Sequence, residues 1–520
     1  MKKIFISNKF FLFVLLTLPL FFISYPIEKT FASQSIINSI EQCNSRILNC
    51  EKIKTLYRAL DFEPVWNEKR INDLKVLIEK SKFEGLDPSH YKVDFSGTKD
   101  ENELRITNTL IKIAYHAYYG FINPAKVFER WDFPKKRDIV LETLIELIKD
   151  DRLLSLFDRL SPKYENYRLL KEYLIKYYNL LDREKFNKID LKGKIKPGQM
   201  HPAVAEIRKR LYLLGFIDNS SESPFFDEKL KEAIVKFQKL HNLETDAIIG
   251  KNTVKTLNLS IKDRINQIRI NLEKFRWLPE SFGEKYILVN IPSFEAYFYD
   301  KGQLLLYSRI IAGKDFQEDF RPTPLLYSKI TRIIINPDWY VPHKIALKDI
   351  LPKILKNPQY ITSENIKVYK EGEEIDPSTI DWKNIDEKNF NFKLIQKAGK
   401  NNALGKIKFH MPNNFDVYLH DTPDKKLFTR NKRAFSSGCI RVEQALPLAL
   451  MLIENNNSMN WDGNKFKEAL KSEKTFYINL KNPVPIYILY FTNLVKDGEL
   501  YFFDDIYGYD SIIAKHLLKN

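Results

Sequence analysis

The sequence predicts a multi-domain protein with an α-helical N-terminal scaffold, a small three-helix module and a mainly-β C-terminal domain carrying an inserted α-rich segment. Three observations lead there. At 520 residues the chain is longer than one hydrophobic core usually supports. Its apolar spacing follows the helical period as far as the region before Tyr286 and the two-residue period of strands after it. A hydrophobic fraction of 44% and an aromatic fraction of 13% supply ample core and argue against extended disorder.

Residues 1–32 have the layout of a secretory signal. Lys2 and Lys3 precede an apolar run from Phe10 to Ile23, and the small residues Ala32 and Ser33 offer a cleavage site after Ala32. The alternative is an uncleaved anchor, because the run through Ile27, broken by Pro19, approaches the length of a bilayer span. No later segment is long and apolar enough to cross a membrane.

The scaffold occupies residues 33–195. Helical spacing appears at Leu74, Val76, Leu77 and Ile78 and from Glu103 to Ala117, with turn punctuation from Glu84 to Tyr91 and from Phe121 to Phe128. The module, residues 196–260, opens at the Lys196, Pro197, Gly198 turn. It carries helix patterns over Ala203 to Leu214, Glu228 to Leu240 and Lys251 to Leu257, with Gly215 as a stop.

The third domain covers residues 261–520. Strand patterns run over Tyr286 to Ile291, Glu295 to Tyr299, Gln303 to Ile311, Ile330 to Ile335, Phe415 to Leu419, Val484 to Leu494 and Leu500 to Phe503, with a helix around Glu443 to Ile453. Residues 341–400 are mixed and charged, with a helix-like stretch from Lys344 to Leu355, and read as an insertion between two strands.

The formal net charge of +16 would suit an anionic partner. Lysines are nonetheless spread along the whole chain beside acidic residues, with no compact basic stripe, so no nucleic-acid partner is expected. The three cysteines are Cys43, Cys50 and Cys439. In an oxidising compartment Cys43 and Cys50 would pair. One continuous helix there would instead hold them about 10 Å apart at roughly 1.5 Å per residue, too far for a bridge. Either way Cys439 is an odd thiol in an exported chain.

The stretch from Val417 to Val442, VYLHDTPDKKLFTRNKRAFSSGCIRV, explains that thiol. A thiol of pKa about 8.5 needs a neighbouring base to act as an acyl-transfer nucleophile, and His420 is the nearest candidate in sequence. Gly438 allows a sharp turn in which the amides of Ser437, Gly438 and Cys439 converge on an oxyanion. A helix starting after Cys439 would favour the thiolate further.

The imidazole needs a group to fix its tautomer. The backbone carbonyl of Asp421 is the first choice, because the Asp421 side chain should point away along the strand, and Ser436 is the alternative. Trp339 and Tyr418 are either core aromatics or substrate contacts. Arg441 either holds a substrate carboxylate or pairs with Glu443. His410 and His420 lack a partner at zinc-ligand spacing, so no metal is expected.

His420, Ser436, Gly438, Cys439, Ile440 and Arg441 together resemble the L,D-transpeptidase signature of the YkuD type. The position before Gly438, often a second histidine in that family, is Ser437 here. Large multi-domain Gram-negative members share that departure, and similar wording recurs at Asn336 to Trp339, Leu347 to Leu351, Asn402 to Gly405, His420 to Pro423 and Asp504 to Asp510. In the module, the order Leu211, Leu214, Gly215, Phe237, Gln238, Leu243, Asp246, Gly250 and Thr253 resembles a small peptidoglycan-binding domain, with Ala247 where a glycine is expected.

The resemblance implies a periplasmic cysteine acyltransferase acting on peptidoglycan stem peptides. Cys439 would take up a tetrapeptide stem as a thioester, release D-alanine and pass the acyl group to a second stem, making a 3→3 cross-link. No cofactor is implied, carbapenems would acylate Cys439, and wall synthases or carboxypeptidases are possible partners. The inner membrane is a partner only if the signal stays uncleaved. Hydrolysis by an L,D-carboxypeptidase, ligation of a D-amino acid or lipoprotein, and a non-catalytic wall-binding role stay open as alternatives.

Overall fold

The structure, a computed structural model, describes residues 27–43, 49–185, 187–456 and 461–518. The expected signal lies mostly outside these residues. Helix Ile27–Glu41 runs across the expected cleavage site, and the next helix, Cys50–Ala59, begins afresh. That break in the helix brings the Cα atoms of Cys43 and Cys50 to 5.9 Å, and the two form a disulfide.

The scaffold is helical and is organised around helix Lys99–Tyr119, whose start is fixed by a reciprocal capping box between Thr98 and Glu101. Leu104, Ile106, Leu110, Ile113, Ala114 and Ala117 are among the residues that bury it within the scaffold core. In the module, buried Gln238 ties helix Glu228–Leu240 to the following loop. Its amide donates to Asp246 (3.0 Å) and to the Ile248 carbonyl (3.1 Å), while its oxygen accepts from the Ala247 amide (3.0 Å). Ala247 has φ +59°, the left-handed conformation that glycine adopts without cost, which accounts for the glycine expected at that position.

Helix Ile261–Arg276, capped by Ser260 and Asp263, joins the scaffold to the C-terminal domain. Glu273 on it is fully buried and accepts from the Ile122 amide (2.8 Å), Arg276 Nη1 (3.0 Å) and Trp277 Nε1 (3.2 Å). Arg276 also reaches the scaffold at Tyr167 Oη (3.1 Å) and the Glu84 carbonyl. On the other side, Lys274 pairs with Asp510, and Asn271 exchanges hydrogen bonds with Thr492.

The C-terminal domain is a ten-stranded sheet that closes on itself. Strand Phe476–Leu489 pairs in parallel with Lys285–Asn290 and antiparallel with Leu325–Ile335. Between those two, in spatial order, lie Ile407–His410, Leu419–His420, Ile440–Val442, Gln303–Gly313 and Glu295–Asp300. The closed sheet wraps a core that includes Val289, Phe298, Ile333, Phe409, Leu419 and Ile440, with helix Ala445–Glu454 packed against it.

The strand expected over Phe415 to Leu419 is only Leu419–His420. The Asn413 side chain accepts from the Phe415 amide (3.0 Å) and donates to the Val417 carbonyl (2.8 Å), holding that stretch as a turn. The inserted segment has a π-helical turn, Ala346–Ile350, between short helices. Three of its strands, Ile366–Lys370, Glu373–Ile375 and Lys393–Gln396, make a four-stranded sheet with Trp339–Tyr340, which lies just before it. The expected α-rich character is therefore mixed with strand, because Ile366, Val368 and Leu394 bury on one small sheet face beneath the helices.

Replacing Glu273 by Ala would leave the buried Arg276 guanidinium without its carboxylate and the Ile122 amide without its acceptor. Unfolding of residues 33–520 in denaturant should show a loss of about 3–5 kcal/mol for Glu273→Ala, and a smaller loss for Glu273→Gln, which keeps an acceptor.

Candidate active site

Strand Leu419–His420 runs between Ile407–His410 and Ile440–Val442, in a register that lines up Lys408, His420 and Arg441 across the sheet. The adjoining row, Phe409, Leu419 and Ile440, is buried in the core. Alternation along a strand therefore turns Lys408, His420 and Arg441 to the opposite face. One residue outward, the Ile440 amide donates to the Tyr418 carbonyl (3.1 Å), which continues the pairing and sets Tyr418 beside Cys439 on that same face. Tyr418, His420, Cys439 and Arg441 line a cleft of about 590 Å³, together with Trp339 and residues of the inserted segment such as Ile345, Asp349 and Gln396.

His420 Nδ1 donates to the Asp421 carbonyl (2.5 Å). A carbonyl can only accept, so the proton sits on Nδ1 and the Nε2 lone pair is left free as a base. Burial and the neighbouring Arg441 charge push the imidazole down to about 3, so it is neutral at neutral pH. The Asp421 carboxylate turns the other way, accepting from the Lys406 amide (2.9 Å) and pairing with Lys425. Gly405, at φ +60°, sits against that carboxylate where any Cβ would collide with it.

The thiol of Cys439 is partly exposed. Its hydrogen-bond acceptor is the Asp416 carbonyl at 4.0 Å, and the Tyr418 phenol lies beside it. It makes no hydrogen bond to His420 here, because the register aligns Cys439 with Tyr418 and sets His420 two positions further along the neighbouring strand. Burial pushes the thiol up, while Tyr418, Lys408 and Arg441 pull it down. The resting pair is thus a neutral thiol and a neutral imidazole.

The expected helix after Cys439 is absent. Ile440–Val442 is a strand, drawn into the sheet by burial of Ile440 and Val442, and helix Ala445–Glu454 starts later. Gly438 has φ +116°, so the turn before Cys439 needs glycine. Ser436 makes no hydrogen bond to His420. Its hydroxyl donates to the Cys439 carbonyl (2.5 Å) and accepts from the Gly438 amide (3.2 Å). The Gly438 amide is therefore engaged, whereas the Ser437 and Cys439 amides have no acceptor among the described residues.

Thr323 Oγ1 holds the Gly438 carbonyl (2.9 Å), and the Lys314 amide holds that of Ser436 (2.9 Å). Arg321 donates to the Ser437 hydroxyl (2.8 Å) and grips Asp349 of the inserted segment with both Nη atoms (2.5 and 2.9 Å). The Arg441–Glu443 pair considered from sequence does not form, because Glu443 is held by Arg309 (2.8 and 2.5 Å). Arg441 Nε is buried without a partner.

Lys408, Arg321 and Asp349 were not legible as site residues. Lys408, whose ammonium sits over the Tyr418 ring at 3.9 Å and is pushed down by burial, left one trace, a charge alternating with Ile407 and Phe409. Arg321 left none, and Asp349 only lay within the family-like stretch Leu347 to Leu351, since their partners are remote in sequence. Among the described residues no group of three or more His, Cys, Asp or Glu side chains is placed to hold a metal ion.

Comparison with protein families matches residues 284–454 to the L,D-transpeptidase catalytic domain of the YkuD type. The chain carries an L,D-transpeptidase domain. The Scaffold domain matches residues 51–174, and a peptidoglycan binding domain matches residues 200–257. A Haemophilus influenzae protein named "Putative L,D-transpeptidase" is 36% identical over 277 residues, which is 52% of this chain and 54% of that one. The match thus spans about half the length of that relative.

Solved L,D-transpeptidases from Stackebrandtia nassauensis and Xylanimonas cellulosilytica are 12% and 11% identical. They cover 59% and 58% of this chain, and 97% and 100% of their own, with TM-scores of 0.21 and 0.19. One from Mycobacterium smegmatis, 11% identical, covers 40% of this chain and 58% of its own with a TM-score of 0.17.

In the transpeptidase domain, the depressed imidazole pKa sets the acid limb of any reaction that uses His420 as base. Carbapenem acylation of Cys439, followed by intact mass, should show no His420 titration near 6.5 and should fail only as pH falls toward about 3. Arg441→Gln removes a repelling charge, raises the imidazole pKa and should move that limb to higher pH.

Proposed function

We propose that the protein is an exported peptidoglycan L,D-transpeptidase that works through a thioester on Cys439. One observation carries the reading: His420, locked by Asp421 in the tautomer that bares Nε2, shares one face of a cleft with an otherwise unexplained thiol.

His420 Nε2 takes the thiol proton as Sγ attacks the carbonyl of the third residue of a tetrapeptide stem, a diamino acid. The unbonded amides of Ser437 and Cys439 are suited to hold the oxyanion of the tetrahedral intermediate. The intermediate collapses with loss of D-alanine, whose amine receives the proton from His420. The amine of a second stem then attacks the thioester. The new C–N bond forms, the C–S bond breaks, and the amine proton returns to sulfur through His420.

Among the described residues Arg441 and Lys408 form no ion pair, and they fit the carboxylates of a stem peptide. Trp339 and Tyr418 supply its walls. The signal-like N-terminus supports a periplasmic location, where the substrate lies.

Residues 33–520 incubated with disaccharide tetrapeptide should yield a 3→3 linked dimer and free D-alanine by mass spectrometry. Cys439→Ala should abolish both, and His420→Ala should slow the reaction by roughly 10²–10⁴-fold. Tripeptide as the sole product would assign hydrolysis instead. Product formation that survives Cys439→Ala would rule out the thioester.

A further inference from the structure

A second cleft, of about 790 Å³, opens between the peptidoglycan-binding module and the transpeptidase domain. The module contributes the loop from Asn242 to Gly250 and the first turn of helix Lys251–Leu257. The transpeptidase domain contributes Leu427, Arg430, Lys432 and Phe435, all on the link between His420 and Cys439, together with Asp504. Phe435 also lines the cleft that holds Cys439, so the two clefts share a wall four residues before the nucleophile.

The two clefts differ in their roof. The inserted segment supplies much of the lining around Cys439 and none of the lining of the second cleft. They also differ in how their charges are used. Arg430, Lys251 and Glu244 make no ion pair or side-chain hydrogen bond among the described residues. Lys432 is engaged with Asp315, while Asp504 makes no side-chain hydrogen bond or ion pair among the described residues, and burial pushes its carboxyl up against the pull of the Lys255 and Lys432 charges. Joints between domains normally pair such groups or leave them in open water. Here unpaired charges of both signs face a cavity wide enough for a peptide.

A transpeptidase must seat two peptides, and the first, acylated on Cys439, fills the roofed cleft. The second has to reach the same carbonyl from a side that the inserted segment leaves open, and it carries both carboxylates and a free amine. We propose that the cleft between the module and the transpeptidase domain binds the acceptor stem peptide and delivers its amine past Phe435 to the thioester. Arg430 and Lys251 meet its carboxylates, while Glu244 and Asp504 face its amine-bearing side. The module is on this account part of the acceptor site as well as a wall anchor. The inference rests on the thioester reading above.

The test separates donor from acceptor. A fixed concentration of disaccharide tetrapeptide serves as donor, and disaccharide tripeptide, which has the amine but no D-alanine to release, is titrated as acceptor. Arg430→Glu combined with Lys251→Glu should raise the acceptor concentration for half-maximal dimer formation roughly tenfold. The rate of carbapenem acylation, which needs no acceptor amine, should stay as in the parent protein. Asn252→Trp, which fills the cleft without changing charge, should act in the same direction.

Unchanged acceptor dependence in both variants would overturn the proposal. So would an equal fall in the acylation rate, which would mean that the Cys439 loop had moved. If the parent protein is not acylated at all, the thioester reading fails first and the acceptor placement with it. If the variants lose retention on intact peptidoglycan sacculi but keep their acceptor dependence, the cleft holds glycan strand and the acceptor assignment is wrong.

Discussion

The site depends on the parallel pairing of Leu419–His420 with Ile440–Val442. Two short strands, joined by the link that contains Arg430 and Phe435, share one register, and that register determines which side chains meet. Because Leu419 and Ile440 are committed to the core, a slip of one residue would send His420 and Cys439 inward and two large apolar groups into the cleft. Burial of the apolar row thus enforces the position of the row that carries His420 and Cys439. His420 adds its own lock through the Asp421 carbonyl, which leaves the Asp421 carboxylate free to hold the Lys406 amide.

Around Cys439 the backbone is pinned from several directions. Thr323, Lys314 and Ser436 hold the carbonyls of Gly438, Ser436 and Cys439, and Gly438 supplies the positive φ that lets the turn close. This leaves two amides unbonded beside the thiol without any need for a helix N-terminus. Arg321 links this turn to the inserted segment, since one guanidinium touches both the Ser437 hydroxyl and Asp349. The geometry of the Cys439 turn and the position of the inserted segment are therefore joined by a single charged group, itself braced by Asp319. The row of Lys408, His420 and Arg441 keeps the imidazole neutral and the cleft positive, a state suited to an anionic peptide rather than to a standing thiolate–imidazolium pair.

The helix Ile261–Arg276 plays the corresponding part between domains. Its buried Glu273 and Arg276 satisfy backbone groups of the scaffold, while Lys274 and Asn271 engage the far end of the chain. Buried charges of this kind tolerate few alternative arrangements, so they fix how the helical scaffold sits against the closed sheet.

The sequence by itself determined the division into scaffold, module and sheet domain, because hydrophobic period is a local property. It also pointed to His420 and Cys439, because a glycine-flanked odd thiol with a nearby histidine is a short-range pattern. It could not show that Ile440 continues a strand rather than starting a helix, that Ser436 serves the turn rather than the imidazole, or that Glu443 prefers Arg309 to Arg441. Those outcomes were decided by tertiary structure, for one physical reason. Each is a competition between partners distant in the chain, settled by sheet register and burial, and neither is visible until the closed sheet has formed.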